Sequence, residues 1–140
     1  MDKNYIVSIK GTQIVNSSVD TVYVEEPCTY KKSDNYTFIS FVCSDKSKNI
    51  IKIDKNGIVT LMRHFDEIQS KMVFEKDKKH TCTYCTKYGT IEMDIALKEV
   101  NYNLNNGGGS IELHYTLRTG IELLSENVTV IKIKEENKSV

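Results

Sequence analysis
In this chain, segment after segment alternates β-branched or aromatic residues with polar ones at a period of two, with turn-forming clusters between them. Side chains of a strand point to opposite faces in turn, so such a pattern specifies strands with one buried face. Tyr5, Val7 and Ile9 share one parity, and Gly11 is expected at a bulge or strand exit. After a polar loop over 16–20, Val22, Val24, Cys28 and Tyr30 share another; Pro27, which has no N–H to give a ladder, is expected at an edge or bulge. Tyr36 to Cys43 is apolar in both parities. Asn56-Gly57 is expected to take the positive φ values of a tight hairpin turn. Met72 and Phe74 lead through a charged turn, 76–79, into His80 to Thr86. Ile91, Met93, Ile95 and Leu97 are odd-numbered while Val100, Tyr102 and Leu104 are even, which predicts a bulge near Lys98 and Glu99. A similar phase shift is expected between Val128/Val130 and Ile131/Ile133.

About ten strands leave no room for a long helix. Consecutive hairpins favour an up-and-down meander, and a small domain with that many strands removes its exposed edges by closing into a barrel. The expected fold is all-β, one antiparallel up-and-down β-barrel of about eight to ten strands over 1–140, with a frayed polar tail at 135–140; a two-sheet sandwich is the alternative. A chain of 140 residues supports one sizeable core.

Lys plus Arg number 19 and Asp plus Glu 19, so no excess charge attracts a phosphate backbone or an anionic membrane, and neither nucleic acid nor membrane is an expected partner. The longest apolar stretch, Phe38 to Cys43, is too short to cross a bilayer, and the N-terminus lacks an apolar signal core. A cytoplasmic location is expected. Cys28, Cys43, Cys82 and Cys85 are then reduced thiols, and the Asn-X-Ser/Thr sites at Asn16, Asn35, Asn127 and Asn137 carry no glycan.

Leu61-Met62-Arg63-His64, followed by Met72 to Met93 with Tyr84-x-Thr86-x-Tyr88-Gly89, resembles the bacterial YwiB-like domain-of-unknown-function family. The Ile9 and Tyr30 strands and the Gly-rich tip before Ile111-x-Leu113-x-Tyr115 extend the resemblance over nearly the whole length. It implies a calycin-type barrel, lipocalin-like in architecture, and no established activity. Lys87 stands where that family usually has Pro before Tyr-Gly, Phe65 where it often has Gly, and Asp77 where the hairpin often has Gly.

His80-x-Cys82-x-x-Cys85 carries zinc-ligand chemistry, but residues three apart on a strand point to opposite faces, and no second Cys-x-x-Cys completes a site. No metal and no cofactor are expected. His64, His80 and His114 have no nucleophile elbow, paired carboxylates or phosphate loop beside them. Arg63 interrupts an apolar strand, where a charge needs a partner or water. It is read as a salt-bridge latch at the barrel end or, alternatively, as the anchor of an anionic ligand with Tyr30, Tyr84 and Tyr115 in reach. The tyrosines are otherwise cross-strand packing partners. The expected function is non-enzymatic binding of a small apolar or anionic ligand in the lumen; the alternative is an interaction or accessory module with a solid core, and a homodimer fits either.

Overall fold
The computed structural model describes residues 4–66, 68–86, 88–120 and 122–136, for 84–86 the backbone alone. Ten strands follow one another: β1 (Tyr5–Val15), β2 (Ser18–Lys32), β3 (Tyr36–Val42), β4 (Lys48–Asp54), β5 (Val59–Phe65), β6 (Ile68–Phe74), β7 (Lys79–Thr86), β8 (Gly89–Asn105), β9 (Gly108–Thr119) and β10 (Glu122–Glu135). Each pairs antiparallel with its sequence neighbours, and β1 pairs with both β2 and β10, which closes the barrel. The up-and-down barrel read from the alternation is therefore the fold, with a strand number at the upper end of the expected range and an arrangement consistent with a calycin-like barrel.

The chain's turns explain the differences from the sequence reading. Asn16 and Ser17 both have positive φ, 47° and 71°, as in a two-residue primed turn. The expected loop over 16–20 is thus a tight hairpin, and β2 starts at Ser18. At Asn56-Gly57 only Gly57 is left-handed, at φ 82°. The Gly57 N–H donates to the Asp54 carbonyl at 3.0 Å and the Asp54 N–H to that of Ile58 at 3.1 Å, so the expected tight turn is a three-residue loop with a glycine bulge. Asp77, at φ 65°, takes the left-handed conformation at a position where a Gly is often found in the resembling family. The Gly-rich tip is required by close approach. A Cβ on Gly108 would collide with the Ile133 carbonyl, and one on Gly109 with that of Asn103.

The expected bulge in β8 falls between Leu97 and Glu99. In β10 the expected phase shift is absent. Pairing with β9 is regular from Ser125 onward, so Ser125, Asn127 and Thr129 continue the buried face of Ile131 and Ile133, and Val128 and Val130 lie half-buried on the other. Pro27 sits where β2 leaves β3, whose pairing with it runs only from Thr29 to Lys32.

The core is densest toward the end that carries the chain's N-terminus and the 105–107 tip. There Val7, Ile53, Val59, Phe74, Ile111 and Ile133 are at most 3% exposed. This floor is closed by two tyrosines. The Tyr30 hydroxyl donates to the Asn105 carbonyl at 2.6 Å, and that of Tyr5 to Asn106 at 2.9 Å. Their rings meet edge to face at 5.1 Å.

Candidate functional site: the barrel mouth
At the opposite end the inward-facing positions become polar. Antiparallel register places Asn49 across from Arg63, Arg63 across from Ser70, and Ser70 across from position 84, so in β4, β5 and β6 this row of the barrel wall is made by Asn49, Arg63 and Ser70, groups that bond rather than pack. Beneath this row lies a cavity of about 250 Å³. Ile9, Phe41, Ile51, Leu61, Met72 and Ile131 make its apolar wall. Asn49, Arg63, Ser70 and Thr129 supply its polar groups.

The 43–47 loop folds over one side of this mouth and is held by its own hydrogen bonds. The Ser47 N–H donates to Asp45 Oδ1 at 2.9 Å, and the Cys43 N–H to the Ser47 carbonyl at 3.0 Å. Asn49 Nδ2 donates to the Ser47 carbonyl at 3.3 Å and hydroxyl at 3.2 Å, and Ser47 is fully buried. Arg63 Nη2 closes the set with a 2.7 Å ion pair to Asp45 Oδ2. Hydrogen bonds from Ser47, and then the Arg63 guanidinium, hold the Asp45 carboxyl below the usual aspartate range.

The four residues read from the sequence do not form one cluster. Arg63 stands at the mouth, but its pair with Asp45 is about half exposed rather than buried. Tyr30 belongs to the opposite end, where its hydroxyl is committed to Asn105; burial, with Tyr5 beside it, pushes its pKa up. Tyr115 lies between, buried, its ring 4.7 Å from that of Phe74 and its hydroxyl 3.4 Å from Thr129 Oγ1. Burial raises its pKa too, against the Thr129 hydrogen bond. Position 84 is in register with Ser70, and its side chain lies outside the described residues. Thr129, Asn49 and Ser70 were missed. The signal was the spacing Ser125-x-Asn127-x-Thr129-x-Ile131, which reads as one face of a strand if polar residues are allowed inside.

Cys82 is buried on the inner face, and the Cys85 side chain lies outside the described residues. Among the described residues no three His, Cys, Asp or Glu side chains gather as metal ligands. His80 is taken by Glu75, 2.9 Å away, and that contact is the main cause holding the Glu75 carboxyl low. No helix among the described residues is long and apolar enough to cross a membrane.

These features define a class: a ten-stranded antiparallel barrel with one end sealed by tyrosines and the other ending in a small half-polar cavity. The chain belongs to the family described as a domain of unknown function, DUF1934, which it matches over residues 7–137. Its fold is similar to the crystal structure of the ywiB protein from Bacillus subtilis, with a TM-score of 0.82, 15% identity, and coverage of 96% of this chain and 93% of that one. No curated protein matches.

Proposed function
We propose that the barrel binds, without transforming it, a small molecule with an apolar body and an anionic or polar head, held in the mouth with the head at Arg63. The observation that carries this reading is the cavity's division between apolar wall and polar rim. At about 250 Å³ it has room for roughly eight waters, and it lies just below the range of drug-sized sites, which suits a short amphiphile. Arg63 keeps N–H donors beyond the one that Asp45 takes, so a carboxylate can bind in the fork that a guanidinium offers. None of the three histidines borders the cavity, which favours binding over acid–base chemistry. Cys28, Cys43 and Cys82 are free thiols, in keeping with a cytoplasmic location.

Octanoate is a suitable probe. In titrations followed by amide chemical shifts, it is expected to move Ile9, Leu61, Met72 and Thr129 together. Leu61→Trp, which fills the cavity, removes the response, and Arg63→Met weakens octanoate at least tenfold while leaving octanol unaffected. Absence of any localised shift at about 1 mM ligand, or equal binding by the filled variant, refutes the reading.

A further inference from the structure
A closed barrel abolishes its edges only where every strand is paired along its length, and β2 is not. Its pairing with β1 runs from Ser18 to Cys28, but β3 accompanies it only from Thr29. Where the two strands part, a cleft of about 550 Å³ opens between Pro27, Cys28 and Thr29 of β2 and Phe41, Val42 and Lys48 of β3 and β4.

Which backbone groups face that open side follows from the ladder. The Ser33 N–H donates to the Tyr36 carbonyl at 2.9 Å, so odd-numbered residues of β2 direct N–H and C=O toward β3. The two-residue turn at Asn16-Ser17 sets the same phase from the other end, since its closing pair, Val15 and Ser18, bond each other. Val19, Thr21, Tyr23 and Glu25 therefore present unpaired donors and acceptors. The same stretch exposes apolar surface: Val19 is 61%, Val22 64% and Tyr23 61% exposed. Natural edges are guarded by lysine, proline or a bulge, and here no lysine lies between Ser18 and Glu26. The stronger guards stand at the ends of the window, the turn before Ser18 and Glu25 with Pro27 after Tyr23, and Asp20 is the one charge inside it.

We propose that this window is a dimer interface, in which β2 of a second copy pairs antiparallel with β2 about a two-fold axis through Thr21. The window is centred on Thr21, and its sequence is complementary to itself in that register. Val19 falls opposite Tyr23 of the other copy, twice, and Thr21 opposite Thr21; aromatic–β-branched and Thr–Thr pairs are both favourable across strands. Asp20 faces Val22, so no like charges stand directly opposite. Both members of each odd-numbered pair direct their backbone groups at the partner, which gives six N–H···O=C bonds. The sheet made by β8, β9, β10, β1 and β2 then continues across the axis. This inference is independent of the ligand reading.

The test is the molar mass of the full chain at about 100 μM by light scattering, a concentration suited to a micromolar interface. The wild type is expected at twice the monomer mass. Thr21→Pro deletes the central donor without touching a bond to β1, and it is expected to be monomeric with unchanged circular dichroism. Thr21→Cys is expected to form, on oxidation, a 21–21 disulfide identified by peptide mass spectrometry, because hydrogen-bonded antiparallel pairs hold their Cα atoms about 5.5 Å apart. A monomeric wild type overturns the proposal, as does a folded Thr21→Pro dimer. Should Thr21→Pro not fold, the cross-link decides: its formation supports the interface, and its absence in a dimeric Thr21→Cys protein refutes it.

Discussion

Phe74 and Leu61 both face inward, yet shortening them is expected to have unequal effects, because one lies in the solid end of the barrel and the other beside the cavity. Phe74 is fully buried, and its ring meets Tyr115 edge to face at 4.7 Å. Phe74→Ala removes a ring that well-packed neighbours cannot replace, at a cost of about 4 kcal/mol including the aromatic pair. Unfolding entropy near 2.1 cal/mol/K per residue gives roughly 0.3 kcal/mol per kelvin for a chain of 140 residues, so the midpoint falls by about 13 °C. Leu61 is only partly buried, and the space on one side of it is already open. Leu61→Ala forfeits part of a transfer term and creates little new void, for about 1 kcal/mol and a drop of about 3 °C. The assay is thermal unfolding of both variants, with urea unfolding alongside and its slope checked against wild type so that the midpoints report native-state stability. Equal losses in the two variants would show that the mouth is packed as tightly as the floor, and the ligand reading would fall with that distinction.

Two further outcomes follow from the titratable groups. The Asp45 carboxyl, observed by carbon NMR, is expected to titrate below an ordinary aspartate. Because its folded pKa is depressed, its contribution is present at neutral pH and lost as pH falls through the folded value, when amide protection of the 43–47 loop declines. Arg63→Met should raise this pKa, since it removes the guanidinium charge and its 2.7 Å hydrogen bond to the carboxylate; an unchanged value contradicts the geometry. Burial pushes the Cys28 thiol up to about 11, so it stays protonated at pH 8 and is expected to alkylate far more slowly with iodoacetamide than after denaturation; equal rates refute the assignment.

The barrel was legible in the sequence because alternation, turn residues and the parity change at Leu97 to Val100 each report a local constraint. Register was legible where one face is wholly apolar, as in Ile111, Leu113 and Tyr115. It was misread in β10, where the inner face turns polar at Thr129 and the outer face carries Val128 and Val130. A rule that places valines inside then invents a phase shift, although the regular strand needs none. Arg63 was found because a charge in an apolar run is conspicuous. Its true setting was hidden because Asp45 lies 18 positions earlier, in a loop whose fold depends on Ser47. Tyr30 and Tyr115 were grouped with it by residue type alone. Nothing local states that β2 and β9 carry them at different heights in the barrel.

The two ends differ because the strands differ in length. β8, β9, β10, β1 and β2 have 17, 12, 14, 11 and 15 residues, whereas β3 to β6 have seven each and β7 has eight. Closing long strands against short ones, with the stagger that any barrel requires, leaves an overhang at each end. At the floor the overhang is the stretch of β8 beyond Ala96, which pairs with Lys79, the first residue of β7. It is used as a cover: Leu104 packs on the core, Tyr102 lies against Gly57, and the Asn105 carbonyl binds Tyr30. At the mouth the overhang is the β1–β2 hairpin, and it bends toward no such cover; Val22 has the inward parity yet remains 64% exposed. What crosses this end is the 43–47 loop and its half-exposed ion pair, a contact of a kind that water and salt weaken easily. The same surplus of strand thus seals the floor and leaves, at the mouth, both a cavity with polar groups and an edge with unmade hydrogen bonds. Sequence changes that matter for binding are therefore expected among Asn49, Arg63, Ser70 and Thr129, and those that matter for assembly between Ser18 and Val24, while the floor tolerates only substitutions that keep its volume.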